Sequence, residues 1–228
     1  MNKQIIVAIG IIFSFLGCKE AKSTKTAALN DEVSIIEKVA NAHGFKDWKK
    51  VKELAFTFNV DRDTTHYERS WIWNTSTNDV TAIGNQDTIT YNRHKLDSIS
   101  YKINGNFIND KYWFLAPFNL MWDRHNFTFE HQKESIAPIS KTPVQKLTIV
   151  YGNNGGYTPG DAYDFYFGDD FLIKEWVFRR GNQSTPSVTT TWEDYKDHNG
   201  LQLATMHKNE DGSFKLYFNQ LKITFKTP

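Results

Sequence analysis

The chain has 228 residues with 27 basic and 26 acidic side chains, a formal net charge of +1, and an aromatic content of 15%. That near balance excludes the clustered basic face that nucleic-acid phosphates require, and the acids form no solvating tail, so no nucleic-acid partner is expected. Its one cysteine, Cys18, excludes an intrachain disulfide, a thiolate zinc site and a cysteine nucleophile in the body of the chain, and stability must come from packing.

The first eighteen residues have the form of an export signal. Lys3 gives a positive start, Ile5 to Leu16 is almost unbroken apolar sequence, and Phe15-Leu16-Gly17-Cys18 closes it. As a helix this run would span roughly 20 Å, short of a ~30 Å hydrocarbon core. The ending resembles the bacterial lipobox, in which cleavage precedes a cysteine that then carries diacylglycerol and usually an N-acyl chain such as palmitate. The resemblance implies a signal peptide at 1–17 and a membrane anchor through lipid on Cys18, durable because each buried CH2 contributes about 0.8 kcal/mol. Removing residues 1–17 takes away Lys3 and leaves 26 basic against 26 acidic side chains.

Residues 18–29 read as the lipidated cysteine and a polar tether, whose stretch from Lys19 to Leu29 reaches up to roughly 40 Å when extended. The residue after Cys18 is Lys19; an Asp there resembles an inner-membrane retention signal, so an outer-membrane location is expected, facing the periplasm or the exterior. Residues 30–228 are expected to form a single β-rich domain, monomeric and without a cofactor. It should open with one amphipathic helix, about Asp31 to His43, capped by Asn30 or Asp31 and stopped by Gly44, with Val33, Ile36, Val39 and Ala40 on its apolar stripe. His43 at its end is read as a cation complementing the helix dipole.

After Trp48 the apolar period becomes two. Phe56, Phe58 and Val60, then Tyr67, Trp71 and Trp73, then Ile89 and Tyr91, then Ile99, Tyr101 and Ile103 mark strands. Asp61-Arg62-Asp63, Asn74 to Asn78, Gly84-Asn85 and Asn104-Gly105-Asn106 read as the turns between them. Tyr112 to Asp123 breaks the pattern: it is apolar on nearly all sides and interrupted by Pro117, which predicts two short helical turns plugging the concave face of the sheet. Strands resume with Phe127 and Phe129, with Leu147, Ile149 and Tyr151, and with Tyr163, Phe165 and Phe167. Phe171 to Phe178 carries apolar residues on both faces and is therefore predicted to lie centrally. Thr189 to Trp192, Leu201 to Met206 and Phe214 to Phe225 complete the set, the last pair joined through Asp211-Gly212.

A lipobox, an N-terminal amphipathic helix, a long antiparallel meander with an apolar helical insert, and the closing pattern Trp192, Asp194, Tyr195, Gly200, Leu201, Leu203 together resemble the LolA/LolB-like outer-membrane lipoproteins. The resemblance implies a mainly β fold, a curved antiparallel sheet or unclosed β-barrel with a hydrophobic cavity for acyl chains. No functional residue is carried over from that class. Candidate lining residues are Trp71, Trp73, Tyr112, Trp113, Phe114, Leu115, Phe118, Leu120, Met121 and Trp176.

The chemistry of an enzyme is not legible. There is no G-x-S-x-G and no glycine-rich loop opening a helix. His125 and His131 flank a strand near Asp123, but on a strand their spacing separates them by roughly 20 Å, too far for one metal ion. Asp161, Asp164, Asp169 and Asp170 read as solvated turn carboxylates rather than a calcium loop. The expectation is a non-enzymatic, membrane-anchored module that binds a hydrophobic or amphiphilic small molecule, a lipid or a lipoprotein acyl chain in the concave face of the sheet. The alternative is a surface glycan-binding or glycan-processing lipoprotein that would stack sugars on exposed Trp73, Trp113 or Trp122, and a third reading, an envelope-complex partner, would need a large exposed apolar patch.

Overall fold

The computed structural model describes residues 33–84 and 87–227. The signal peptide, Cys18, the tether and the proposed Asn30 or Asp31 cap lie outside the described residues. The domain opens with helix α1, Ile35–Ala42, whose cap is Ser34: its hydroxyl accepts from the Glu37 N–H while the Glu37 carboxylate accepts from the Ser34 N–H. Ile36, Val39 and Ala40 are buried as the stripe requires, whereas Val33 precedes the helix and is exposed. Gly44 adopts φ 89°, and a Cβ there would lie 2.1 Å from the Gly200 carbonyl oxygen, so only glycine fits this stop.

Twelve strands follow among the described residues, and every pairing between them is antiparallel. The first four are β1 (Val51–Arg62), β2 (Thr65–Asn74), β3 (Asp79–Ile83) and β4 (Thr88–Asn92). Helix α2 (Ser98–Trp122) leads to β5 (Phe127–Ile136), β6 (Pro143–Tyr151), β7 (Ala162–Phe167), β8 (Ile173–Arg179) and β9 (Val188–Thr191). The chain ends with β10 (Glu193–His198), β11 (Leu201–Lys208) and β12 (Phe214–Phe225). One sheet has the order β10-β11-β12-β1-β2-β3-β4, the other β5-β6-β7-β8-β9. Only Trp192 separates β9 from β10. Its N–H donates to the Lys174 carbonyl in β8, while the Lys208 N–H in β11 donates to the Thr191 hydroxyl, so the sheets abut at this seam. At the other end β4 and β5 are not paired, and α2 connects them, leaving the barrel unclosed.

Helix α2 is the largest departure from the sequence reading. The expected strand at Ile99, Tyr101 and Ile103, the expected turn at Asn104-Gly105-Asn106 and the expected pair of short turns are one helix of 25 residues with Pro117 inside it. Its start is set by Asp97, whose carboxylate accepts from the Ile99 and Ser100 N–H groups while the Ser100 hydroxyl accepts from the Asp97 N–H. The alternation at 99, 101 and 103 misled because Ile99 and Tyr101 are exposed, and the stripe that is enclosed, Ser100, Asn104, Phe107 and Lys111, is mostly polar. Pro117 cannot donate to the Trp113 carbonyl, yet the helix continues because protein encloses it on both sides. Tyr112, Ala116 and Leu120 pack with α1 and the five-stranded sheet. Phe107, Phe114, Leu115 and Phe118 pack into the seven-stranded sheet, where Phe114 meets Phe56 and Phe218 edge-on at ring separations of 4.9 and 4.4 Å.

Three smaller corrections share one cause, burial that spacing does not reveal. His43 is not a dipole-complementing cation: it is buried, its Nδ1 bonds the Val39 carbonyl at 2.8 Å and its Nε2 accepts from the Ile173 N–H, so the ring is neutral, and burial lowers its pKa to about 4. Asp164 is not a solvated turn carboxylate but a buried β7 residue, held by Arg179 through Nε at 3.0 Å and Nη2 at 3.2 Å and by the Thr148 hydroxyl at 2.6 Å. The strand with both faces fully covered and the central place in its sheet is β7; β8, predicted for that role, is second from the edge, and Phe171 precedes it in a turn at φ 57°.

Candidate functional site

The apolar opening nearest the unpaired end of the seven-stranded sheet is built by three neighbouring strands and α2. Register places Trp71 of β2 opposite Ala82 of β3, and Ala82 opposite Ile89 of β4, so the three side chains stand in one row on one face. The middle member is the smallest. The space beside it is a notch of about 250 Å³, lined by Trp71, Ala82, Ile83 and Ile89 from the sheet and by Ile103 and Asn106 from α2, with Arg69 and Asp87 at the rim. Ile83 and Ile89 are exposed at its mouth. That volume falls just below the roughly 300–1,000 Å³ of drug-sized sites and suits one chain or ring rather than a bundle of acyl chains.

A buried ion pair fixes the helix against this wall. Arg69 donates to Asp110 through Nε at 2.8 Å and Nη2 at 2.6 Å, and the Trp71 indole N–H donates to the same carboxylate at 2.9 Å. Asp110 is 0% exposed, and burial pushes its pKa up against the pull of Arg69. The guanidinium lies between the Tyr67 and Phe58 rings, at 4.9 and 5.5 Å. Both partners that set the position of Trp71 and of the middle of α2 were invisible in the sequence, because residues 41 apart carry no spacing signal.

Of the ten lining residues expected from sequence, Trp71 borders the notch. Trp73, Phe114, Leu115 and Phe118 belong to the aromatic core between α2 and the seven-stranded sheet; Tyr112, Leu120 and Trp176, with Met121 against them, belong to the core on the other side. Trp113 touches both cores. Trp73 is buried and Trp113 half-buried, so of the three tryptophans expected to meet sugars only Trp122 is exposed, at 36%. A larger groove of about 640 Å³ lies at the far end of β5 and β6, between Lys133–Ile136, Pro143–Gln145 and Gly168–Asp169, and none of the expected residues reaches it. Among the described residues, no three His, Cys, Asp or Glu side chains gather as a metal site. His131 bonds Gln145 and stacks on Phe167, and Asp123 accepts from Tyr151 and Asn119.

No family model and no curated protein matches this chain. Solved structures do. A LolA superfamily protein, NE2245 from Nitrosomonas europaea, is 9% identical and superposes with a TM-score of 0.50 over 85% of this chain and 93% of its own. An outer membrane lipoprotein-sorting protein domain from Vibrio parahaemolyticus is 12% identical, with a TM-score of 0.46 over 85% and 94%. A DUF1329 family protein from Desulfovibrio piger is 9% identical, with a TM-score of 0.44 over 82% and 91%. With its antiparallel strands left unclosed around an enclosed helix, the domain has a LolA-like fold.

Proposed function

We propose that this chain is a membrane-anchored lipoprotein that binds, without catalysis, one apolar chain of a lipid, of a lipoprotein or of another amphiphile. The observation that carries the reading is the notch at the unclosed end of the barrel, mostly apolar and bordered by Trp71, the one expected lining residue that reaches it from the core. Burying an apolar chain there is favourable by about 25 cal/mol per Å2 of surface removed from water. The remaining nine expected residues would act by holding α2 in place. A lipid on Cys18 would supply the anchor, in the outer membrane, and no described helix is long and apolar enough to cross a bilayer. The LolA-like fold agrees with a carrier of this kind.

The test is direct. Native mass spectrometry of the protein taken gently from its own host should show a bound amphiphile, and Ala82→Phe, which fills the middle of the notch, should abolish it while leaving the fold intact. An amphiphile retained in full by Ala82→Phe, or glycan-array binding with an empty notch, would overturn the proposal.

A further inference from the structure

One ring away from the notch, across Phe107, lies a second set of groups. Lys111 is 4% exposed, yet among the described residues its ammonium meets no carboxylate and no hydrogen-bond acceptor; it lies 5.2 Å from the centre of the Trp122 ring. Arg93, just after β4, lies 5.7 Å from the Trp73 ring and 5.5 Å from the Phe107 ring. Among the described residues its side chain makes one hydrogen bond, from Nε to the Asn104 side-chain Oδ1 at 3.3 Å. The Trp73 indole N–H is enclosed with no acceptor. Trp48 ties these pieces together, its ring 5.6 Å from Trp73 and 5.2 Å from Trp122.

Two cations and a neutral donor therefore share one aromatic enclosure in which, among the described residues, neither cation makes an ion pair. Burial, with the nearby Arg93 adding to it and Asp123 opposing, lowers the pKa of Lys111 to about 7. Arg93 is lowered by burial as well. Holding like charges together where water is scarce is unfavourable unless something neutralises them, and a group with several oxygens and more than one negative charge would do so through charge-assisted hydrogen bonds. Phe107 joins this enclosure to the notch: its ring is 5.5 Å from Arg93 on one side and 5.5 Å from Trp71 on the other.

We infer that Lys111, Arg93 and the Trp73 N–H form a binding site for a phosphoryl group, and that the ligand of the notch is a phosphorylated, single-chain amphiphile whose head sits here. The tail half of this assignment rests on the function proposed above; the head half does not.

The experiment titrates full-length protein at fixed ionic strength with inorganic phosphate, dodecyl phosphate and dodecyl maltoside, and follows modification of the Lys111 amine by mass spectrometry, with Lys174 as the internal control. Dodecyl phosphate should bind about tenfold more tightly than the maltoside and slow Lys111 modification selectively. Lys111→Met and Arg93→Gln should each remove most of that preference and leave maltoside affinity unchanged, which also reports that they fold. The Lys111 protection in unaltered protein carries the test if they do not. Protection by inorganic phosphate with no gain from the dodecyl chain would uphold the phosphoryl site and sink the apolar-chain reading. Equal affinity for the two amphiphiles with Lys111 unprotected would overturn the phosphoryl site and leave the notch standing, and no binding of any of the three would overturn both.

Discussion

Replacing Asp110 with alanine removes four hydrogen bonds at once, from Arg69 Nε and Nη2, from the Trp71 indole and from the Asn109 amide at 3.1 Å. Truncating one partner of a buried ion pair costs about 3–5 kcal/mol because the other charge is left without an acceptor. Arg69 is 22% exposed and regains some water, which places the expected loss near the lower figure, and the orphaned Trp71 N–H adds about 1–2 kcal/mol. The pair itself is close to break-even, since burial outweighs Arg69 in setting the pKa of Asp110. The double replacement Arg69→Met with Asp110→Leu should therefore recover most of the loss and end within about 2 kcal/mol of the parent. Urea unfolding followed by tryptophan fluorescence measures both, through the midpoint at unchanged slope. A single-variant loss below about 1 kcal/mol, or a double variant as unstable as the single one, would refute the view that this pair pins α2 to β2.

Acidification should weaken the fold through two buried neutral imidazoles. His43 is lowered to about 4 and His207 to about 3, both by burial, so between their ordinary 6.5 and those values the unfolded chain binds protons that the folded chain does not. Stability then falls with falling pH across that window, by about 2 kcal/mol for each histidine at pH 5 relative to pH 7.5, and flattens below it. His207→Leu should remove about half of this dependence; an unchanged pH profile in urea would contradict the neutral assignment. Gly44→Ala should cost about 3 kcal/mol or more, because the left-handed backbone costs about 1–2 kcal/mol and the new Cβ meets the Gly200 backbone, and thermal unfolding reads the loss. Phe114→Ala, which deletes a ring enclosed between Phe56 and Phe218, should cost about 3–5 kcal/mol by the same assay, and a smaller loss would mean that α2 is not tightly held.

The strands were legible because their faces differ: Phe56 and Phe58, Trp71 and Trp73, Leu147 and Ile149 alternate with residues less enclosed or polar, and a period of two follows directly. Gly44 marked the end of α1 for a reason the backbone confirms. The first half of α2 was not legible, since a helix that buries Ser100, Asn104, Asp110 and Lys111 hides its stripe among polar residues, and Asn104-Gly105-Asn106 has the composition of a turn. The notch depends on a small residue, Ala82, standing between two large ones on neighbouring strands, and the Arg69–Asp110 pair depends on a helix crossing a strand. Neither arrangement has a counterpart along a single stretch of chain, so both had to wait for register and contact.

Methyl-labelled isoleucines give the most direct reading of where an apolar chain goes. Titrating the protein with a dodecyl amphiphile should shift the methyl resonances of Ile83, Ile89 and Ile103, which border the notch, and leave those of Ile36, Ile149 and Ile173, enclosed in the opposite core, unmoved. Shifts confined to the second group, or no shifts at saturating ligand, would contradict a chain-binding notch at the unclosed end of the barrel.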